Sequence, residues 1–241
     1  MKSFIIDNLK TVFYALLIAI FIRSFFIQPF YIPSSSMEPT LQVGDRLFVT
    51  KYTYGFSKHS FPFSLGPIKE RIFYSEPKRG DVVVFKTPSD NRTDYIKRVI
   101  GLPGERLQFI DGNLFINDLE IFKSKEKNNL KVFCGNKEIK VNIFSEKIEY
   151  KEYLTAYFNN GSFQNSDEYL IPPDHFFFLG DNRDCSKDSR YLTSVGFVEK
   201  NNLVGKARFI FFSSDIRLGN LYEFWKWKKI IRVKRFFKKI I

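Results

Sequence analysis

Between residues 4 and 27 the chain is apolar and carries charge only at Asp7, Lys10 and Arg23. The strictly uncharged part, residues 11–22, is twelve residues long, shorter than the ~17–25 a membrane span needs. Long side chains at either end can reach back to the headgroups, so the reading is a transmembrane anchor over residues 9–26 preceded by a short extension, residues 1–8. The alternatives are a cleaved signal peptide or a buried core helix. The run Phe25-Phe26-Ile27-Gln28-Pro29-Phe30 lacks the small residues of a cleavage site, which favours the anchor.

Beyond residue 40 the pattern changes. Short β-branched and aromatic runs at residues 46–53, 81–86, 94–100, 106–110, 113–116, 168–171, 175–179 and 208–213 are separated by Gly, Pro, Asn and Asp. This predicts an antiparallel, mainly β fold, with Asp111-Gly112-Asn113 as a hairpin turn. Residues 118–167 are richer in Lys, Glu and Asn and interrupt the pattern, so they are read as a smaller inserted β domain between two parts of one core, residues 27–117 and 168–220. In residues 221–241, Phe224, Trp227, Ile230, Ile231, Phe237 and Ile241 recur at roughly helical spacing among lysines. That predicts a basic amphipathic helix, either in a membrane interface or packed on the body with a solvated face.

Charge adds to this picture once it is located. The net +12 suggests a nucleic-acid partner, yet eight Lys and Arg residues sit in the 221–241 tail against one acid, Glu223. The two cysteines, Cys134 and Cys185, form no CxxC and have no metal-ligand spacing; one disulfide and two free thiols are equally compatible with them. The two histidines, His59 and His175, lie in loop-like or strand-start settings without a nucleophile elbow, so a Ser-His-Asp triad has little support.

Three segments could carry other chemistry. Pro33-Ser34-Ser35-Ser36-Met37-Glu38-Pro39 is a proline-stiffened serine turn just past the anchor, either a linker or a rigid loop presenting a hydroxyl. Lys97 stands among Ile96, Val99 and Ile100 on a predicted strand. Buried there it becomes a general base by desolvation; beside Asp94 on an exposed strand it is an ordinary solvated lysine. The block Gly180-Asp181-Asn182-Arg183-Asp184-Cys185-Ser186-Lys187-Asp188-Ser189-Arg190 is either a solvated loop or a network of ion pairs around a site.

Taken together, these segments and Arg79-Gly80-Asp81-Val82-Val83-Val84-Phe85 resemble the four boxes of the bacterial type I signal peptidases, in the family's order and behind an N-terminal anchor. The resemblance covers residues 20–110 and 168–212. It implies a membrane-bound serine endopeptidase with Ser36 as nucleophile, Lys97 as base and Ser186 holding the amine. The Ser36 N–H and the Ser34 hydroxyl are implied as oxyanion donors, with Asp181–Arg98 and Asp188–Arg190 as supporting ion pairs. Phe30, Ile32, Met37, Leu41, Tyr95 and Ile96 fall where the family lines shallow pockets, implying cleavage after Ala-X-Ala. No metal or cofactor is implied. The partners are preprotein signal peptides and the lipid bilayer, not nucleic acid, with the body outside the bacterial inner membrane and a single pass. Ser35 replaces a frequent glycine, and Cys185, where Asn is frequent, could react or pair with Cys134. A self-cleaving Ser/Lys peptidase would carry a DNA-binding domain where this chain has an apolar run, and a non-catalytic membrane-binding protein leaves Ser36, Lys97 and Ser186 unexplained.

Overall fold

The first element, helix α1 (Lys2–Phe25), stands clear of the body with its apolar side chains exposed. It begins before the expected residue 9 because Asp7 and Lys10 pair along one face at 3.8 Å and the helix continues through them. Its stretch Phe4–Phe25 is 22 residues long, about 33 Å at ~1.5 Å per residue, long and apolar enough to cross a membrane. This computed structural model describes residues 2–135, 137–158, 164–215, 217–220 and 222–241.

After Phe26 the chain becomes mainly β. The strands are β1 (Ile27–Tyr31), β2 (Asp45–Thr50), β3 (Val82–Lys86), β4 (Asp94–Gly101), β5 (Arg106–Ile110), β6 (Asn113–Ile116) and β7 (Leu119–Glu120). They continue with β8 (Lys123–Cys134), β9 (Lys137–Ile148), β10 (Lys151–Tyr157), β11 (Tyr169–Leu170), β12 (His175–Leu179), β13 (Val198–Glu199) and β14 (Leu203–Ser213). A seven-stranded sheet runs β1-β2-β14-β3-β4-β12-β13; a four-stranded sheet runs β11-β5-β6-β7; β10-β9-β8 form a third. All the pairings between these strands are antiparallel.

Local sequence explains much of this. The unbroken run Val82-Val83-Val84-Phe85 is buried on both faces. Val82 and Val84 join Leu47, Val49 and Ile210 on one side, while Val83 and Phe85 join Val99, Phe176 and Phe178 on the other. Ile110 pairs with Asn113 across Asp111 and Gly112, both at positive φ, the turn that Asp-Gly forms most readily. The run at 46–53 stops early at Thr50, because Lys51 donates its N–H to the Phe26 carbonyl and its Nζ to the Ser60 carbonyl at 2.5 Å, turning the chain into a short 3-10 turn, Tyr52–Tyr54.

Residues 118–167 supply β7 to the four-stranded sheet and the whole of the third sheet. Ile148 and Tyr153 pack with Ile100, Leu107 and Phe177, so this excursion shares apolar packing with the rest of the body. The tail departs from expectation. Among the described residues it is not a continuous amphipathic helix: only Trp227–Ile230 forms an α turn, α2, flanked by 3-10 turns. The reason is tertiary. Phe237 N–H donates to Ile210, Ile240 N–H donates to Arg208, and Arg232 and Arg235 donate to Gln42, Asp45 and main-chain oxygens near the Ser36 loop. Those bonds and the burial of Ile230 and Ile240 override helical spacing.

Candidate active site

The Ser36 loop is held from both sides. Below it, Ile32, Met37 and Leu41 insert into the cluster formed with Leu47, Val49, Val82 and Val84. Above it, Asn182 donates its N–H to the Ser36 carbonyl at 3.1 Å and its Nδ2 to the Ser35 carbonyl at 3.2 Å. The Glu38 carboxylate accepts the Phe133 N–H at 3.0 Å, and burial raises the Glu38 pKa. The serine turn is therefore a rigid presenting loop rather than a linker. Met37 and Leu41, expected to line pockets, are fully buried core residues; an apolar flank in sequence cannot tell these two uses apart.

Opposite this loop lies Lys97. Strand β4 pairs with β3 from Asp94 onward but with β12 only from Arg98, so its first half keeps a free edge. The buried Lys97 Nζ lies 2.6 Å from Ser36 Oγ and donates to the Ile96 carbonyl at 3.1 Å. Desolvation lowers its pKa from 10.5 to about 8; the Asp188 and Asp181 charges pull the other way and Arg190 adds to the lowering. Such a lysine holds an appreciable neutral fraction near neutral pH. The expected hydrogen bond from Ser186 is not formed. Ser186 Oγ is buried and has no hydrogen-bond partner among the described residues. It lies where a side chain at Gly180 would project, so that position has no room for even a methyl group. Ser34 Oγ lies 3.3 Å from Ser36 Oγ.

Both expected ion pairs are present and fully buried. Arg98 grips Asp181 through Nε at 2.8 Å and Nη2 at 2.7 Å. Arg190 grips Asp188 through Nε at 2.8 Å and Nη2 at 2.9 Å, and Asp188 also accepts the Gly180 N–H at 3.0 Å. Burial alone would raise the Asp188 pKa, but the Arg190 guanidinium fork outweighs it and holds that carboxyl below its ordinary value. The charged block at 180–190 is thus a structured network.

Two further elements of this network had no signal in the sequence or an ambiguous one. Arg183 holds Glu146 of β9 through Nη1 at 2.8 Å and Nη2 at 2.6 Å, both side chains buried. Glu146 belongs to a stretch rich in charge, where nothing marks one glutamate as internal. A disulfide joins Cys134 to Cys185, next to Ser186, across a sequence separation of 51. That the chain has only two cysteines was the one available hint.

A groove of about 810 Å3 opens beside Ser36 and Lys97. Phe30, Ile32, Tyr95 and Ile96 line it as expected, joined by Tyr31 and Val84. One wall is the sheet-edge strand β1, paired only to β2; another is the free half of β4. Among the described residues no group of three or more His, Cys, Asp or Glu could hold a metal ion.

The chain matches the family described as "Signal peptidase, peptidase S26" over residues 5–212. It is similar to signal peptidase I of Rickettsia typhi and of Rickettsia prowazekii, each 38% identical over 94% of this chain and 90% of the relative. It is also similar to signal peptidase I of Rickettsia canadensis, 37% identical over 96% of this chain and 92% of that one. Among solved structures, a signal peptidase I from Enterococcus faecalis is 26% identical with a TM-score of 0.33, covering 55% of this chain and 97% of that one. With the family matched along most of its length, the chain belongs to the signal peptidases of family S26 and is a serine peptidase, a hydrolase of peptide bonds.

Proposed function

We propose that this protein removes signal peptides from exported preproteins, with Ser36 as nucleophile and neutral Lys97 as general base. The observation that carries the reading is the 2.6 Å contact between Lys97 Nζ and Ser36 Oγ in a buried setting. An extended substrate adds as a strand along the free edges of β1 and β4, its side chains entering the groove lined by Phe30, Ile32, Tyr95 and Ile96. Small residues fit such a shallow lining, which favours cleavage after Ala-X-Ala.

In the first step Lys97 Nζ accepts the Ser36 hydroxyl proton as Oγ bonds to the scissile carbonyl carbon. The carbonyl oxygen gains the negative charge and is met by the Ser36 N–H, which has no acceptor among the described residues, and by the Ser34 hydroxyl. A donor of this kind is worth ~10²–10³ in rate. The C–N bond then breaks, the amine leaves with the proton from Lys97, and the signal peptide remains as an ester on Ser36. Neutral Lys97 next takes a proton from water, the hydroxide attacks the ester, and Ser36 recovers its proton as it leaves. Asp181–Arg98 and Asp188–Arg190 act as supports that fix β4 and the 180–190 segment around the pair.

The α1 helix anchors the enzyme in the bacterial inner membrane in a single pass, with the body on the extracytoplasmic side. The test is cleavage of a preprotein whose signal ends in Ala-X-Ala by detergent-solubilised enzyme. Wild type cuts at that bond, and Ser36→Ala and Lys97→Met do not while keeping their fold by circular dichroism. Turnover retained by either variant refutes the assignment. A reporter fused after Ile241 that is active only in the cytoplasm refutes the orientation.

A further inference from the structure

A second cavity, about 680 Å3, opens beside the last turns of α1 and is separated from the Ser36 groove by Phe30 and Asp94, which line both. Its lining is strongly basic. Arg23 comes from α1, Lys51, Lys58 and His59 from the segment after β2, Lys86 from the end of β3 and Arg92 from the β3–β4 turn. Two carboxylates also face it, and both are engaged. Asp94 pairs with Lys86 at 2.9 Å, and Asp90 accepts from Thr87 Oγ1 at 2.6 Å and from the N–H groups of Arg92 and Thr93 at 2.8 and 3.0 Å.

The side chains of Arg23, Lys58 and Arg92 meet no carboxylate among the described residues. Two buried groups add donors. Lys51, 2% exposed, has the Ser60 carbonyl as its side-chain partner. His59, 3% exposed, contacts Ser64 Oγ through Nδ1 at 2.8 Å, while its Nε2 is buried with no hydrogen-bond partner among the described residues. A partnerless buried ring nitrogen in a cationic cavity is a group awaiting an acceptor.

The surroundings define the acceptor. Phe25 of α1 packs edge-on against Phe61 at 5.5 Å, which ties this loop to the end of the anchor. In the same loop Phe63 is 92% exposed and Leu65 80% exposed, beside a helix whose apolar side chains are bare along its length. We propose that the cavity binds the phosphodiester headgroup of an anionic phospholipid, with its acyl chains lying along α1 between the helix and the Phe63–Leu65 loop. Arg23, Lys58 and Arg92 surround the phosphate, and His59 Nε2–H donates to one of its oxygens while Nδ1 accepts from Ser64. A phosphate free in solution would have no use for the apolar flank.

The experiment follows thermal unfolding of the full chain in neutral detergent, with phosphatidylglycerol, phosphatidylcholine or millimolar inorganic phosphate added. Phosphatidylglycerol is expected to raise Tm saturably. Lys58→Gln/Arg92→Gln, which leaves α1 and the buried residues intact, is expected to weaken the half-saturating lipid fraction roughly tenfold or more, and adding Arg23→Gln roughly a hundredfold in all. An equal shift with phosphatidylcholine, an unchanged response in the triple variant, or a shift reproduced in full by inorganic phosphate each overturns the proposal. Peptide cleavage is not the readout, so the result is independent of the Ser36 and Lys97 assignment.

Discussion

If neutral Lys97 is the base, the pH dependence of cleavage reports its burial. A free lysine with pKa 10.5 is neutral in about one molecule in three thousand at pH 7, whereas at about 8 the fraction is about one in ten, a gain of roughly three hundredfold. Below pH 8 each unit of acidity should therefore cost about tenfold in kcat/KM; from pH 6 to pH 8 the rate should rise about fiftyfold, and above pH 9 it should level off. The assay is initial-rate cleavage of a fluorogenic peptide carrying an Ala-X-Ala site, from pH 6 to 10, with circular dichroism at each pH to exclude unfolding. A midpoint near 10.5 would mean that Lys97 is solvated in the working enzyme. A midpoint near 6.5 would point to an imidazole, and an unchanged profile in Lys97→Met would remove the lysine from the chemistry altogether.

Burying that ammonium opposes folding. With the folded pKa near 8 and the unfolded one near 10.5, the full penalty, about 3 kcal/mol, is present below pH 8 and fades as pH rises from 8 to 10.5, because only the unfolded chain then holds the proton. Lys97→Met should thus have a higher Tm than wild type at pH 7, with the gap narrowing at pH 10; a lower Tm at pH 7 contradicts the desolvation argument. Glu146→Gln should destabilise by ~3–5 kcal/mol because it leaves the Arg183 charge buried and uncompensated, and Glu146→Leu/Arg183→Met should recover most of that loss in urea denaturation. The Cys134–Cys185 bridge closes a loop with a sequence separation of 51, so Cys134→Ser/Cys185→Ser should lose about 2–4 kcal/mol by the same measurement; no loss would mean that the β8–β9 hairpin is fixed without it.

The sequence carried the parts of this fold that local chemistry decides. Residues 81–86 read as a strand, and Asp111-Gly112-Asn113 read as a turn, because backbone and side-chain preferences act over a few residues; that the strand is buried on both faces came only with the sheets around it. The nearness of Ser36 and Lys97, 61 residues apart in sequence, was legible only through the family's ordered boxes, since no spacing rule brings them together. Met37 and Leu41 show the opposite case: the boxes marked them, but whether an apolar side chain faces the core or the groove depends on the sheet beneath it. The tail misled because helical spacing of Phe224, Trp227 and Ile231 is a weak preference, outweighed here by the Arg232 and Arg235 bonds to distant loops. Glu146 and Arg183 left no local trace, since a buried ion pair is made by two residues that are individually ordinary surface types.

The junction between α1 and the sheet sets a height. Only Phe26 separates the helix from β1, its N–H and carbonyl are taken by Ile22 and Lys51, and Phe25 is wedged against Phe56 and Phe61. There is no slack here for the body to ride up or down on its stalk. If α1 is the anchor and the substrate lies along β1 as proposed, the peptide would be measured from the same origin each time, and the bond that reaches Ser36 would be selected by its distance from the bilayer as well as by its side chains. Lengthening the junction with a few glycines would leave the pair intact and blur that ruler.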